Sequence, residues 1–259
     1  MPLRPDDVTS PTTLDTADVL HLRAAGVSLV LDLAAGLPRV LHWGADLGDL
    51  PGAALAALRL AARSAPAASS VDGEVVPSVL PEQSTGWLGV PGLTGSRGGR
   101  GWSSAFALER ATHARTAGGG DLVTVTAADP AAGLGLELVL ELTPQGVVRQ
   151  RATVTNTADG TYDLEGVLLT LPVPLRATTL LDMGGHWARE RHPIRTPFTH
   201  GTRLRENRRG RTGFDTPYVL VAGTDELGHR RGEVWGVHVA WSGNHRSLAQ
   251  RAHDHPGLL

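Results

Sequence analysis

The stretch LGLELVLELTPQGVVRQRATVTNT, residues 134–157, decides the fold. Leu134, Leu136, Leu138, Leu140 and Leu142 recur at every second position. Successive strand side chains point to opposite faces, so this spacing gives one apolar face of a β-strand. Pro144-Gln145-Gly146 supplies a turn. Val148, Ala152 and Val154 then resume the alternation, opposite Arg149 and Arg151. The pattern predicts a β-hairpin with one buried side.

The same period recurs on both sides. Strands are predicted over 19–24, 27–33, 39–44, 121–128, 164–173, 217–223 and 232–241. Asn156-Thr157-Ala158-Asp159-Gly160 is turn chemistry between strands. Many short strands with Gly, Pro and Asp punctuation predict an all-β fold of mainly antiparallel strands, a sandwich or large barrel. One short Ala-rich helix is predicted over 53–64, AALAALRLAARS, after Pro51-Gly52. Residues 65–80 read as loop. GWLGVPGLTGSRGGRGW, 86–102, holds seven glycines and reads as a long irregular loop bounded by Trp87 and Trp102. It matches neither GxxxxGK[ST] nor GxGxxG, so it is not a phosphate loop.

Composition excludes several function classes. With 259 residues and 41% hydrophobic content, the chain is able to build a packed core. Only 2 Tyr and 3 Phe are present, so that core must be Leu, Val and Ala with Trp at special points. The net charge of −2 argues against nucleic acid as a partner, because phosphate neutralisation needs a basic excess. Every Lys-or-Arg position is Arg. There is no Cys, which excludes disulfides and thiolate metal sites. The opening MPLRPDDVTSPTTLDTADV has no signal-peptide core, and no apolar run reaches the roughly 20 residues that span a bilayer. A soluble cytoplasmic protein without membrane contact is expected.

The chemistry-bearing residues gather between 185 and 246. Trp187, Trp235 and Trp241 lie there among many Arg. Aromatic faces beside guanidinium forks suit a polyhydroxylated ligand, a partner surface, or an Arg network that holds the fold. Trp241-Ser242-Gly243-Asn244-His245 contains Ser, Asn and His, yet four neighbours on a strand cannot surround one carbonyl. It reads as a turn in which Gly243 supplies dihedral freedom and Asn244 ties backbone groups. There is no HExxH and no calcium loop, so no metal is expected. His253-Asp254-His255 reads as a ragged tail. Of the acids near the cluster, Glu190 is flanked by Arg189 and Arg191, and Glu206 by Arg205 and Arg208. Both read as ion-pair partners whose pKa is lowered, not as general acids.

At this point a family resemblance emerges. WARER (187–191), ENRRGRTGFDTPYVLVA (206–222) and GEVWGVHVAWSGN (232–244), in this order, resemble the N-terminal domain of family 36 glycoside hydrolases, bacterial-type α-galactosidases. LPRVLHWGADLG (37–48) and PEQSTGWLGVPGLTGSRGGRGW (81–102) resemble earlier blocks of that domain. The likeness covers roughly residues 17–250.

The resemblance implies a β-supersandwich that precedes a catalytic (β/α)8 barrel and a small C-terminal β domain. It implies retaining hydrolysis of terminal α-galactosides such as melibiose and raffinose, with two barrel Asp residues as nucleophile and acid/base. The barrel's Lys-Trp-Asp motif is absent from this chain, so no catalytic residue is expected within it. Residues 1–16 are then a flexible N-terminus. Residues 17–259 form the supersandwich, expected to lack its last strands. Trp187, Arg189, Glu190, Arg191, Arg208, Arg209, Trp241 and Asn244 are expected to form a structural and interface network. Trp87, Arg97, Arg100 and Trp102 form a loop that could approach sugar. The implied partners are the chain's own catalytic barrel, further copies in a homo-oligomer, and a galactoside held by the barrel. No cofactor is implied. A free-standing carbohydrate-binding module is the alternative.

Overall fold

The computed structural model describes residues 8–15, 17, 19–63, 75–211, 213, 219–252 and 257–259. It divides into two compact units, Met1–Thr170 and Leu171–Leu259.

The first unit is built around the opening hairpin. β1 (Thr12–Thr13), β6 (Ala107–Arg115), β7 (Asp121–Asp129), β8 (Leu134–Leu142) and β9 (Val148–Asn156) form one antiparallel sheet in that order. The five alternating leucines of β8 are all buried, as predicted. They face their neighbours in register, with Leu136 opposite Ala127, Leu138 opposite Val125 and Leu140 opposite Val123. Each such leucine contributes about 2 kcal/mol by leaving water. On β9, Arg149 and Arg151 are exposed between half-buried Val148, Gln150 and Ala152. Arg149 pairs with Glu141 directly opposite it, at 3.3 Å. The turn closes where Thr143 N–H donates to Val147 O at 2.9 Å.

The buried carboxylates of β7 lie at its two ends, one met by side chains of β6 and the other by loop amides. Asp121 meets His113 at 2.8 Å and Arg115 at 2.7 Å. Asp129 accepts from the N–H groups of Ala105 and Ala132. β2 (Val19–Ala24), β3 (Val27–Asp32) and β4 (Arg39–Ala45) form a three-stranded sheet with β3 central. Ser28–Asp32 is therefore buried without a break. β5 (Leu93–Ser96) and β10 (Asp163–Val167) make a separate two-stranded ladder.

α1 spans Gly52–Ala61 and ends at Ala62, slightly short of the predicted 53–64. None of its residues is buried. Among the described residues no helix is long and apolar enough to cross a membrane.

The second unit holds two four-stranded antiparallel sheets. One runs β11 (Pro172–Val173), β18 (Gly257–Leu258), β17 (His245–Arg251), β14 (Gly201–Asn207). The other runs β13 (Arg189–Pro197), β12 (Thr179–His186), β15 (Val219–Gly223), β16 (Val234–His238). Leu180, Phe198, Leu220, Trp235, Leu248 and Leu258 are among its buried core side chains. β13 is an outer strand, mostly exposed, and carries Pro193 and Pro197.

Several expectations change. Residues 164–173 are not one strand. β10 and β11 join different sheets, because Leu168 N–H turns to Gly92 O and Thr170 N–H to Val79 O, and Pro172 follows. The Gly-rich 86–102 stretch is not wholly irregular, since it carries β5. The terminus read as flexible, residues 1–16, includes Val8 bridged to Thr116 and β1 paired with β6. The 65–74 part of the predicted loop, the last residue of the predicted helix and His253-Asp254-His255 lie outside the described residues.

Candidate functional site

The β12–β13 hairpin presents the first of the predicted interface residues at its tip. β12 carries alternating buried side chains up to Gly184, and then the register shifts between Gly184 and His186. Gly185 sits at φ 137° with its α-carbon facing Arg189 O so closely that no Cβ fits. Ala188 and Arg191 both take left-handed conformations, at φ 67° and 54°. Left-handed non-glycine residues carry local strain. This strained tip holds Trp187 76% exposed.

Glu190 ties the tip together. Its carboxylate accepts the Ala188 N–H at 2.9 Å. The N–H groups of Glu190 and Ala188 hold its pKa below the ordinary carboxylate range, with His186 and Arg191 contributing less. The lowered pKa is as expected, but its cause is the turn's own amides more than the flanking arginines. Arg189 and Arg191 are left exposed on either side.

Glu206 is the anion that does pair with arginine. Arg208 lies 2.8 Å from one of its oxygens and Arg246 lies 2.6 Å from the other. These two guanidiniums, Arg208 first, hold the Glu206 carboxyl below its usual range. Arg205, its sequence neighbour, turns to the opposite face. There it meets the buried Asp182 of β12 at 2.6 Å, and Arg203 approaches the same carboxylate at 3.5 Å. The odd-even alternation of β14 makes this division.

Beyond β14 the loop 207–211 is held by asparagines. Asn207 accepts the Arg209 N–H at 3.0 Å and donates to Arg211 O. Asn244 accepts the Gly210 N–H at 2.7 Å, the backbone tie expected of it. Gly243 does not take a positive φ. It is needed for close approach, since a Cβ there would lie 2.5 Å from Trp241 Nε1. Trp241 is 64% exposed. Trp235 is buried beneath Arg176, whose guanidinium lies 5.0 Å from its ring and forks onto Glu233 at 2.8 and 3.1 Å.

The loop expected near sugar divides into spent and available residues. Trp87 is buried and donates to Val90 O at 3.1 Å. Arg97 donates to Asp159 O, Gly160 O and Asn156 Oδ1, clamping the 156–160 turn. Arg100 and Trp102 are exposed. Among the described residues no group of three or more His, Asp or Glu is arranged to hold a metal.

The sequence offered no reason to single out Arg39, Arg59 or Asp32. Arg59 of α1 reaches Asp32 of β3 at 2.9 Å. The only trace in sequence is that Arg59 occupies the helix position three before the C-cap, where a cation is favourable anyway.

The family model described as the glycosyl hydrolase family 36 N-terminal domain matches residues 36–258. An α-galactosidase of Escherichia coli is 35% identical over 177 residues, which is 68% of this chain and 24% of that protein. The GH36 α-galactosidase AgaB of Geobacillus stearothermophilus superposes with a TM-score of 0.78 at 19% identity, covering 96% of this chain and 37% of that one. The galactosidase domain of the α-galactosidase-sucrose kinase AgaSK gives 0.79 at 16% identity over the same shares. The all-β sandwich expected from the alternation is thus the fold of known structures. The chain spans about a quarter of its curated relative and over a third of these structures. The chain belongs to the glycosyl hydrolase family 36 N-terminal domain family.

Proposed function

We propose that this chain is the non-catalytic N-terminal domain of a retaining α-galactosidase that cleaves terminal α-galactosides such as melibiose and raffinose. Its work is to brace the catalytic barrel and to contact further copies in a homo-oligomer. The observation that carries the reading is the family match over 36–258, together with the state of the acids. Retaining hydrolysis needs two carboxyls about 5–5.5 Å apart, one of them free to donate a proton. Four described acids of the second unit are otherwise engaged: Asp182 and Glu206 by two arginines each, Glu233 by Arg176, Glu190 by its own turn. Trp187, Arg189, Arg191 and Trp241 remain exposed, the residue types that dominate protein contacts.

The test is a pairing experiment. The chain alone should release no nitrophenol from p-nitrophenyl α-galactoside. Supplied with a family 36 catalytic barrel, it should form a complex that Trp187→Ala weakens. Turnover by the chain alone would refute the division of labour.

One observation favours a second reading, the binding module. Trp102 is 60% exposed beside exposed Arg100, which is a stacking face next to a donor. Calorimetry with raffinose separates the two. A module binds unaided and loses affinity with Trp102→Ala, whereas a bracing domain gives no heat.

A further inference from the structure

A cleft of about 250 Å³ opens in the first unit beside the turn that joins β3 to β4. Ala35 and Gly36 of that turn, Arg39 of β4, Ser84, Glu82 and Phe106 are on its wall.

Among the described residues, one cation on this wall has no close partner. Asp32 and Arg39 are cross-strand partners, so they rise from the same side of the sheet. Asp32 is nevertheless taken by others. Arg59 holds Oδ1 at 2.9 Å, and the Ala34 N–H donates to the same oxygen at 3.0 Å. Arg59 also donates to Ala17 O at 2.7 Å. Arg63 follows the helix C-cap Ala62, where a cation offsets the partial negative charge of the helix end. Arg59 therefore answers Asp32, and Arg63 answers α1. Arg39 is left over. Half-buried, it has no hydrogen bond or ion pair with any described residue. Burial lowers its pKa and nearby Arg63 lowers it further, against the pull of Asp32. A guanidinium does not release its proton at any ordinary pH, so Arg39 keeps its charge on the cleft wall with no close anion among the described residues.

The carboxyl in the cleft does not supply that anion. Burial pushes the Glu82 pKa up, towards the neutral form. Its Oε1 already accepts the Phe106 N–H at 2.8 Å.

We infer that this cleft is an oxyanion site, which takes a small ligand through a phosphate group bound by the Arg39 fork. A planar guanidinium matches two phosphate oxygens at once. The cleft exceeds what a bare ion fills, and Ser84 on its wall offers a hydroxyl to a sugar-sized remainder.

The test titrates the 259-residue chain with inorganic phosphate and with glucose 6-phosphate, by calorimetry at constant ionic strength. Saturable one-site binding of at least one probe is expected. Arg39→Gln should weaken it at least tenfold. Ala35→Glu should do the same; it changes an exposed turn residue and so leaves the fold intact. Arg110→Gln, exposed on β6, should bind as the parent does. A tenfold tighter ester assigns part of the contact to the sugar, and equal affinities assign the site to the phosphate itself. No saturable binding of either probe overturns the inference, as does parental affinity in both Arg39→Gln and Ala35→Glu.

Discussion

Replacing Asp182 by alanine should loosen the second unit more than any single arginine change there. Asp182 is 4% exposed and faces Arg205 at 2.6 Å and Arg203 at 3.5 Å, while its Oδ1 accepts the Met183 N–H at 2.7 Å. Removing one partner of a fully buried ion pair costs about 3–5 kcal/mol, because the other charge is stranded. Here the stranded charges are partly wet, since the Arg205 and Arg203 side chains are 27% and 39% exposed. Rehydration trims the cost to about 2–3 kcal/mol. In a domain of this size each kcal/mol moves the melting temperature by about 2–4 °C, so the drop is about 4–12 °C. Calorimetric melting of Asp182→Ala reads it directly. The double variant Asp182→Ala/Arg205→Met should recover about 1 kcal/mol or more, because it removes the better-buried orphan. A single variant that melts within about 1 °C of the parent refutes the reasoning, given that even ~2 kcal/mol must show. A double variant no better than the single would place the loss in the Met183 contact instead.

Other variants test other links. Glu82 has its pKa raised by burial in the fold, so its contribution is most favourable at acid pH and is lost as pH rises through the folded value. Glu82→Gln keeps an acceptor for the Phe106 N–H, and its melting temperature should gain on the parent between pH 4.5 and pH 8, roughly the window above a free Glu; a constant gap across that window contradicts the sign. Gly185→Ala places a Cβ against Arg189 O at φ 137° and should cost about 1–3 kcal/mol in thermal melting, while unchanged stability would mean the tip is free to relax. Trp87→Phe deletes the bond to Val90 O and should cost about 1 kcal/mol, whereas Trp102→Ala should stay within about 0.5 kcal/mol. Equal losses from the two would contradict their burial.

The strands that sequence reveals are those with one wet face. β8 and β9 alternate because a hairpin half-buried in a sheet must, and the leucines at 134–142 state it plainly. β13 and β14 carry no such signal. Arg189–Pro197 is exposed on both sides, and Leu204 of β14 is 48% exposed, so hydrophobic periodicity never develops there. Their strand character comes from ladders to β12 and β17. β5 is hidden for a related reason: its partner β10 lies some seventy residues further along. Among site residues, types were readable and partners were not. Adjacency pointed to Arg205 and Arg208 as partners of Glu206, but of the two only Arg208 pairs with it; Arg205 turns to Asp182, and Arg246 comes from the neighbouring strand, 40 residues away. Arg39 was invisible because its significance lies in having no close partner among the described residues, which only three-dimensional placement exposes.

The outer strand β13 bears on how the margin of its sheet is kept from pairing with other strands. Proline has no N–H to offer a ladder, and β13 carries two, at 193 and 197, among exposed Arg189, Arg191 and Arg195. Two of the nine residues therefore have no amide to offer a main-chain ladder. A margin rich in guanidinium and short of free amides resists the strand-on-strand stacking that leads to fibres.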